Sequence, residues 1–430
     1  MKKFYITISF IVVILLSFIG GYFFRYQSTS KSKINSKLMV NLKNFKGEYN
    51  KSAIKSLYDN PSPKIQDTIK TLEKEGNNLL NTTNYPSVTD KTDLIASGET
   101  KHDFVSMTPY LYNDSNTKTG YIVKDGVDNP ERLDESKFDS QRLAKLVSAV
   151  NTLSIDYTLT GKEVYAKKAV DFLNAWFLNS STKMNPNMKY SEIFVTNSGK
   201  TYFFNNSTMI SAVPFIQIVN DIYLLEGSNA LTNKDLNGLK AWFNDFQEWL
   251  LKSSKGNIDM LRIDNHGTWL QAELALFNTF AGNKEKTIKA LEAVGPYSIC
   301  PQIKDSGKIP SALIRTKSVD YTEYNLEAFI TLANIGEKLS IPIWDYKSPY
   351  GGSIEKALDY LNNYLLGKEK WPYENIKGKN VNEEDNGEFV KYLALAYDHY
   401  KNPDYLKTIN KYKPESKGIS YLILESRLSS

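Results

Sequence analysis

The sequence has little cysteine and little histidine. Its 430 residues include one cysteine, Cys300, and three histidines. One thiol cannot form a disulfide within the chain, and it cannot build a cysteine-based zinc site. Three imidazoles are too few for a metal site based on a histidine cluster. The sequence therefore predicts no metal and no cofactor.

An excess of charge of one sign is also missing. The 53 basic and 48 acidic residues leave a net charge of +5, and the lysines are spread along the chain. Nucleic-acid-binding proteins usually cluster their cations on one face, so we expect no nucleic-acid partner. A mildly positive chain suits an acidic substrate. The 28 tyrosines, 20 phenylalanines and 6 tryptophans suit either a carbohydrate cleft or a large core.

The amino terminus carries the longest hydrophobic run. Lys2 and Lys3 precede an apolar segment, Phe4–Phe24, which is long enough to span a bilayer. Both a cleaved signal peptide and a membrane anchor fit, although the cations after residue 24 oppose the orientation of an anchor with an exported domain. We expect entry into the secretory pathway, with a protein that is secreted or anchored through residues 4–24. The predicted organisation is a signal peptide or anchor over 1–24, a Ser- and Lys-rich linker over 25–40, and a folded domain over 41–430.

After the linker, the apolar residues recur mostly at helical spacing. One helix is predicted around Leu143–Leu153 and ends at Thr160-Gly161, and the next runs from Val164 to Trp176. Further helices are predicted near 208–225, 234–253, 268–281, 284–294, 321–337, 353–366 and 386–400. Strand-like alternation is scarce and no strict repeat is visible, which favours a closed toroid over a helical solenoid. The predicted fold is all-α: an α/α toroid, an incomplete barrel of helical hairpins with a site at its concave centre.

Three segments contain the candidate functional residues. They are Lys101–Tyr112, Arg262–Trp269 and Ile314–Glu327. Each segment alone has an ordinary explanation, such as an Asn- and Gly-bearing turn before a helix capped by Thr268. A helix amino terminus that is approached by Asn265 and His266 is also suited to an anion, because free N–H groups point there.

Together these segments resemble the alginate lyase family of polysaccharide lyases. The resemblance rests on Ser-x-x-Pro-Tyr before Leu111, on Asn265-His266-Gly267, and on Arg315 and Tyr321 before Asn325-Leu326-Glu327. Asp125-Gly126 and Asn129-Pro130-Glu131 also look like a loop of that family, and the order is kept from about Gly98 to Tyr373. The resemblance implies an α/α toroid whose catalytic domain performs β-elimination at a uronic acid in an acidic polysaccharide.

The same resemblance implies roles for individual residues. Asn265 and Arg315 would neutralise the substrate carboxylate, whereas His266 and Tyr321 would act as base and acid. His102, Tyr110, Trp269 and Tyr324 would bind substrate. Tyr324 lies one helical turn after Tyr321, so either tyrosine remains open as the acid. Phe104 and Leu111 stand where the family often has larger aromatic residues, which bears on substrate preference.

The chemistry of elimination needs these residue types. Removing the proton on C5 of a uronate places charge on the adjacent carboxylate, and an amide with a guanidinium can stabilise that charge. An imidazole with an ordinary pKa of about 6.5 can accept the proton near neutrality, and a phenol with a pKa of about 10 retains one for the leaving O4.

Two other functions remain open at this stage. A glycoside hydrolase on the same fold would need two carboxylates about 5–10 Å apart, and Asp221, Asp264 and Glu273 are available. A non-catalytic glycan-binding protein is the third reading. The sequence leaves open the polymer, endo or exo action, and the oligomeric state.

Overall fold

The computed structural model describes residues 36–204, 209–377, 386–414 and 418–429. The predicted signal peptide or anchor lies outside them, and none of the helices in these ranges has the length and apolarity to span a membrane. The chain divides into two compact units, residues 1–44 and 45–430. Of the first unit the structure describes one helix, α1 (Ser36–Asn44). Residues 36–40 of the predicted linker belong to this helix, and the predicted domain organisation stays a prediction.

The second unit is mostly helical. Its α-helices are α2 (Lys51–Asp59), α3 (Pro63–Leu80), α4 (Ser140–Thr160), α5 (Glu163–Leu173), α6 (Pro214–Leu225), α7 (Asn233–Lys252), α8 (Ser254–Met260), α9 (Asn265–Ala281), α10 (Lys284–Glu292), α11 (Cys300–Gln302), α12 (Pro310–Leu313), α13 (Ser318–Lys338), α14 (Ile354–Leu365), α15 (Val390–Tyr400), α16 (Pro403–Tyr412) and α17 (Ile419–Leu428). Short 3-10 turns cover Val88–Asp90, Pro130–Leu133 and Met209–Ala212, and π-helical turns cover Asn174–Leu178 and Gly295–Ile299.

Successive hairpins pack these helices into a ring. Helices α4, α6, α9, α13 and α15 pack side by side in that order, and α17 joins α15 to α2 and α3, which pack on α4. Helices α5, α7, α10, α14 and α16 pack on the members of this ring. The predicted α/α toroid is confirmed.

Five short strands cover part of the helical ring. Strand β1 (Val105–Met107) pairs in parallel with β4 (Tyr190–Val195), which pairs antiparallel with β5 (Thr201–Phe203). Strands β2 (Leu111–Asn113) and β3 (Tyr121–Val123) form a separate hairpin. Buried residues of β1 and β4 pack with Leu111 and Phe138 in a small core of their own. The strands matter for function because they carry the first candidate segment.

Most predicted helix boundaries agree with the structure, but the two helices at the candidate site, α9 and α13, begin earlier than predicted. Helix α4 ends at Thr160, and Gly161 follows with φ +70° as the predicted cap. Helix α9 starts at Asn265, with Asp264 rather than Thr268 as its cap, because the Asp264 side chain accepts a hydrogen bond from the His266 N–H. Helix α13 starts at Ser318 rather than near 321. As a result, Asn265, His266 and Tyr321 lie in the first turns of two adjacent helices.

Candidate active site

A cavity of about 760 Å³ opens between the strands and the amino-terminal ends of α4, α9 and α13. His266 lines it, and so do the acidic and basic residues Arg132, Glu192, Arg262, Arg315, Lys317, Asp320, Glu323 and Glu327. Asn265, Tyr110, Tyr321 and Tyr324 line it as well. Six of the eight residues predicted for the site therefore line the same cavity. The lining contains both basic and acidic side chains.

The start of α9 holds Asn265 and His266 in a defined position. The Asp264 carboxylate accepts the His266 N–H at 3.1 Å and is itself bound by Arg262, whose Nε lies 3.0 Å from each of its oxygens. At Gly267 an added Cβ would lie 2.2 Å from the Arg262 carbonyl oxygen. Only glycine permits this close approach, so the turn before α9 requires the third residue of the Asn-His-Gly sequence.

His266 is held as a neutral imidazole. Burial first, and then the positive charges of Arg262 and Arg315, lower the pKa of His266 to about 4, against the opposing effect of Asp264. Its Nδ1 is enclosed and has no hydrogen-bond partner among the described residues, whereas Nε2 is not enclosed. The neighbouring Asn265 is buried at the cavity wall, and its amide makes no hydrogen bond to the part of the chain that is described. Both groups are available to a ligand.

Arg315 and Tyr321 line the cavity and contact each other. Nη2 of Arg315 donates to the Tyr321 hydroxyl at 2.5 Å, and its guanidinium carbon lies 3.7 Å from the centre of the Tyr321 ring. The Tyr110 hydroxyl lies 2.9 Å from that of Tyr321. Burial and the contact with Tyr110 raise the pKa of Tyr321, although the charge of Arg315 opposes the shift. Tyr321 therefore keeps its proton near neutral pH.

An aspartate after strand β3 orients Arg315. Asp125 accepts from Nε of Arg315 at 3.1 Å and forms a second contact with Nη2 of the same side chain. It also accepts from the N–H of Thr316 at 3.2 Å and from its hydroxyl at 3.0 Å. Burial acts to raise the pKa of Asp125, but these hydrogen bonds outweigh it and hold the pKa below its ordinary value. The loop after the β2–β3 hairpin is thus tied to the segment that carries the arginine.

Two of the predicted substrate-binding residues do not line the cavity. Nδ1 of His102 lies 2.6 Å from the carbonyl oxygen of Lys183. Trp269 is 2% exposed, and its ring lies 5.1 Å from that of Tyr324. Trp269 can therefore affect a ligand through Tyr324, which does line the cavity. The roles of all eight residues stay predictions.

The carboxylates considered for hydrolysis are not arranged as a pair in this cavity. Asp221 and Glu273 are both fully buried, and Asp264 caps α9 and binds Arg262. None of the three belongs to the cavity lining. Among the described residues there is also no group of three or more His, Cys, Asp or Glu side chains that could hold a metal ion.

The ring of helical hairpins, and a cavity lined by an imidazole, an amide, an arginine and a tyrosine, agree with the toroid polysaccharide lyases that the sequence resembles. The family model for alginate lyase matches residues 87–371, and the chain belongs to the alginate lyase family. It is an enzyme of the polysaccharide lyase class.

Solved structures agree with this assignment. An alginate lyase from Bacteroides ovatus is 31% identical and superposes with a TM-score of 0.78, over 88% of this chain and 98% of its own. An alginate lyase from a Sphingomonas species is 14% identical with a TM-score of 0.54, over 85% of this chain and 90% of its own. A variant of that enzyme complexed with a tetrasaccharide is 14% identical and has a TM-score of 0.54, over 88% of this chain and 92% of its own. At 14% identity these last two show the fold alone. A comparison with curated protein sequences gave no match.

Several residues that line the cavity, or that contact a residue of its lining, were not predicted as site residues from the sequence. The sequence marks Asp125, because Asp125-Gly126 is part of the family resemblance. It does not indicate the contact of Asp125 with Arg315, which joins residues 190 positions apart. Arg132, Glu192 and Lys317 carry no local pattern that separates them from surface charges. Only the fold brings them to the cavity.

Proposed function

We propose that this lyase cleaves an alginate-like, uronic-acid-containing polysaccharide by β-elimination, with Asn265, His266, Arg315 and Tyr321 as its catalytic residues. The observation that carries the proposal is the convergence of these four side chains on one cavity. Asn265 and His266 lie in the first turn of α9, whereas Arg315 lies three residues before α13 and Tyr321 lies in the first turn of that helix. Because α9 and α13 pack against each other, the two pairs can act on the same sugar.

Asn265 and Arg315 neutralise the carboxylate next to the C5 proton. Charge on that carboxylate grows as the proton leaves, so hydrogen bonds from an amide and a guanidinium strengthen in the transition state. Asn265 has no competing partner among the described residues. Arg315 is already oriented by Asp125, and this limits the rearrangement needed when substrate binds.

His266 and Tyr321 transfer the protons. Nε2 of a neutral His266 takes the proton from C5, and the lowered pKa of His266 keeps the ring neutral at physiological pH. The O4–C4 bond then breaks, a C4–C5 double bond forms, and the Tyr321 hydroxyl protonates the departing O4. Tyr321 suits this step better than Tyr324, because the hydroxyl of Tyr321 is held by both Arg315 and Tyr110.

The test uses the full chain and a panel of polymers. Homopolymers of mannuronate, guluronate and glucuronate should include at least one that gives a product with the ultraviolet absorbance of a conjugated double bond. The same polymer with its carboxyl groups reduced to alcohols should give none, since no carboxylate remains to stabilise the transition state. A chelator should leave the rate unchanged. Reducing ends that appear without ultraviolet absorbance would indicate hydrolysis and contradict the proposal.

We also propose that the enzyme acts outside the cytosol, either secreted or held by residues 4–24. The apolar Phe4–Phe24 run supports this proposal. Cell fractionation with an antibody should find the protein in the exported or membrane fraction. Full-length protein in the cytosolic fraction would contradict it.

A further inference from the structure

Strand β4 departs from regular geometry at Glu192. Between the pairs Val105–Tyr190 and Met107–Ile193, strand β1 advances by two residues and β4 by three, so β4 carries a bulge. Glu192 has φ +53°, a left-handed conformation that is unfavourable for a residue other than glycine. Bulges in strands often redirect a side chain, and they are common beside active sites.

The bulge is held by buried polar contacts. The Glu192 N–H donates to Ser106 Oγ at 2.9 Å, and Ser211 Oγ donates to Oε1 of Glu192 at 2.9 Å. The ammonium of Lys255, which is 6% exposed, donates to the Ser191 carbonyl oxygen at 3.0 Å. Strand β1, helix α8 and the 3-10 turn at Met209–Ala212 all contribute to this arrangement. The conformation of Glu192 is therefore fixed from three directions.

One oxygen of the Glu192 carboxyl group is left for a ligand. The residue is 6% exposed and lines the cavity. Its Oε1 is bound by Ser211, whereas Oε2 accepts no hydrogen bond from a described residue and is not enclosed. Burial raises the pKa of Glu192 to about 7, although its hydrogen bond with Ser211 and the charge of Arg132 act in the opposite direction. A fixed carboxyl group thus faces the space in which the sugar chain would lie.

We propose that Glu192 binds a ring hydroxyl group of the substrate and so makes the enzyme select sugars whose hydroxyl groups are free. A carboxylate oxygen accepts a hydrogen bond from a hydroxyl, and a protonated carboxyl group can donate one as well. A uronate carboxylate would be repelled at this position, so the carboxylates lie towards Arg262 and Arg315 and the hydroxyl face lies towards Glu192. The inference rests on the proposed function. It adds a substrate-contacting residue that discriminates against chains whose hydroxyl groups carry acetyl esters, which remove the donor and add bulk.

The test compares two changes, one in the enzyme and one in the substrate. Glu192→Ala and Glu192→Gln are assayed on an oligouronate with free hydroxyl groups and on the same oligouronate after chemical O-acetylation. A hydrogen bond to a charged group is typically worth about tenfold or more in binding. We expect wild-type KM to rise about tenfold on acetylation and Glu192→Ala to raise KM about tenfold on the free sugar, with kcat little changed. Glu192→Gln keeps the packing of the side chain, so its KM on the free sugar should lie between those of the wild type and Glu192→Ala.

The effects of the Glu192 substitution and of substrate O-acetylation on KM should not be additive. Non-additivity distinguishes a direct contact with the substrate from a structural role of Glu192. In Glu192→Ala, acetylation should raise KM by no more than about twofold, because the contact is already lost. The matched control is Asp156→Asn, a fully buried carboxyl group of α4 whose pKa burial also raises to about 7 and which does not line the cavity. This control should keep the wild-type preference for free hydroxyl groups.

The inference would be overturned if both Glu192 variants had the KM of the wild type. It would also be overturned if O-acetylation of the substrate raised KM by the same factor in the wild type and in the variants. If circular dichroism shows that Glu192→Ala does not fold, the same comparison is made with Glu192→Gln, through the factor by which O-acetylation raises its KM. A wild-type enzyme that forms no double bond on any polyuronate would instead overturn the proposed function, and the inference with it.

Discussion

At the scale of residues, the site depends on how Arg315 is oriented. Its guanidinium group is bound by Asp125 through Nε and Nη2, and Nη2 also donates to the Tyr321 hydroxyl. The aspartate fixes the direction of the planar group but also offsets its charge. These two effects act differently on kcat and KM.

Asp125→Asn should therefore lower kcat without raising KM. The amide cannot hold both guanidinium nitrogens as a carboxylate does, so Arg315 loses its alignment and we expect kcat to fall about tenfold. The less compensated guanidinium should still attract the anionic polymer, so KM should stay the same or decrease. Initial rates of double-bond formation measure both constants. Asp128→Asn, in the same loop, is the control, because the Asp128 side chain is 54% exposed and pairs with Arg132 rather than Arg315. A rise in KM with kcat unchanged would show that Asp125 does not position Arg315.

At the scale of elements, the first turn of α9 depends on Gly267. Replacing a glycine inside a helix with alanine usually stabilises the protein by about 1 kcal/mol, because glycine is a poor helix former. At Gly267 the sign should reverse, since the new Cβ would lie 2.2 Å from the Arg262 carbonyl oxygen and must displace backbone. We expect Gly267→Ala to lower the melting temperature and to reduce kcat by moving Asn265 and His266.

Gly238→Ala provides the comparison for this change. Gly238 lies within α7, and its added Cβ would meet only the end of the Leu178 side chain, at 2.9 Å, which can rotate away. This variant should keep wild-type activity and a melting temperature equal to or above that of the wild type. Equal behaviour of the two alanine variants would argue against a specific role for Gly267.

The helices were accessible from the sequence because their apolar residues recur at a regular spacing. Helix α4 and its glycine cap follow from the Leu143–Leu153 pattern and Gly161. The start of α9 was placed three residues late, because Thr268 and Asp264 are both good capping residues and only tertiary packing on Arg262 selects Asp264. The bulge at Glu192 has no sequence signal, since a glutamate in a strand gives no indication of a positive φ.

At the scale of the whole molecule, the toroid brings together side chains that lie far apart in the sequence. Tyr110 and Tyr321 share a hydrogen bond across 211 positions, and α9 packs on α13 although three helices, α10 to α12, and a π-helical turn intervene. The identities of the four proposed catalytic residues follow from a family resemblance, whereas their convergence on one cavity, and the contributions proposed for Asp125 and Glu192, require the fold. Local patterns do not encode contacts over such separations.

The most direct test of the proposed mechanism is the initial rate of double-bond formation by His266→Ala and Tyr321→Phe beside wild type, on whichever polyuronate the wild type cleaves. Each variant removes one proton-transfer group, and such groups typically contribute about 10²–10⁴-fold to the rate. We predict that kcat falls by at least about 100-fold in both, with circular dichroism unchanged. Tyr324→Phe, which keeps the ring packed on Trp269, should retain most of the activity. Full activity in both His266→Ala and Tyr321→Phe, or loss in Tyr324→Phe with Tyr321→Phe active, would contradict the assignment.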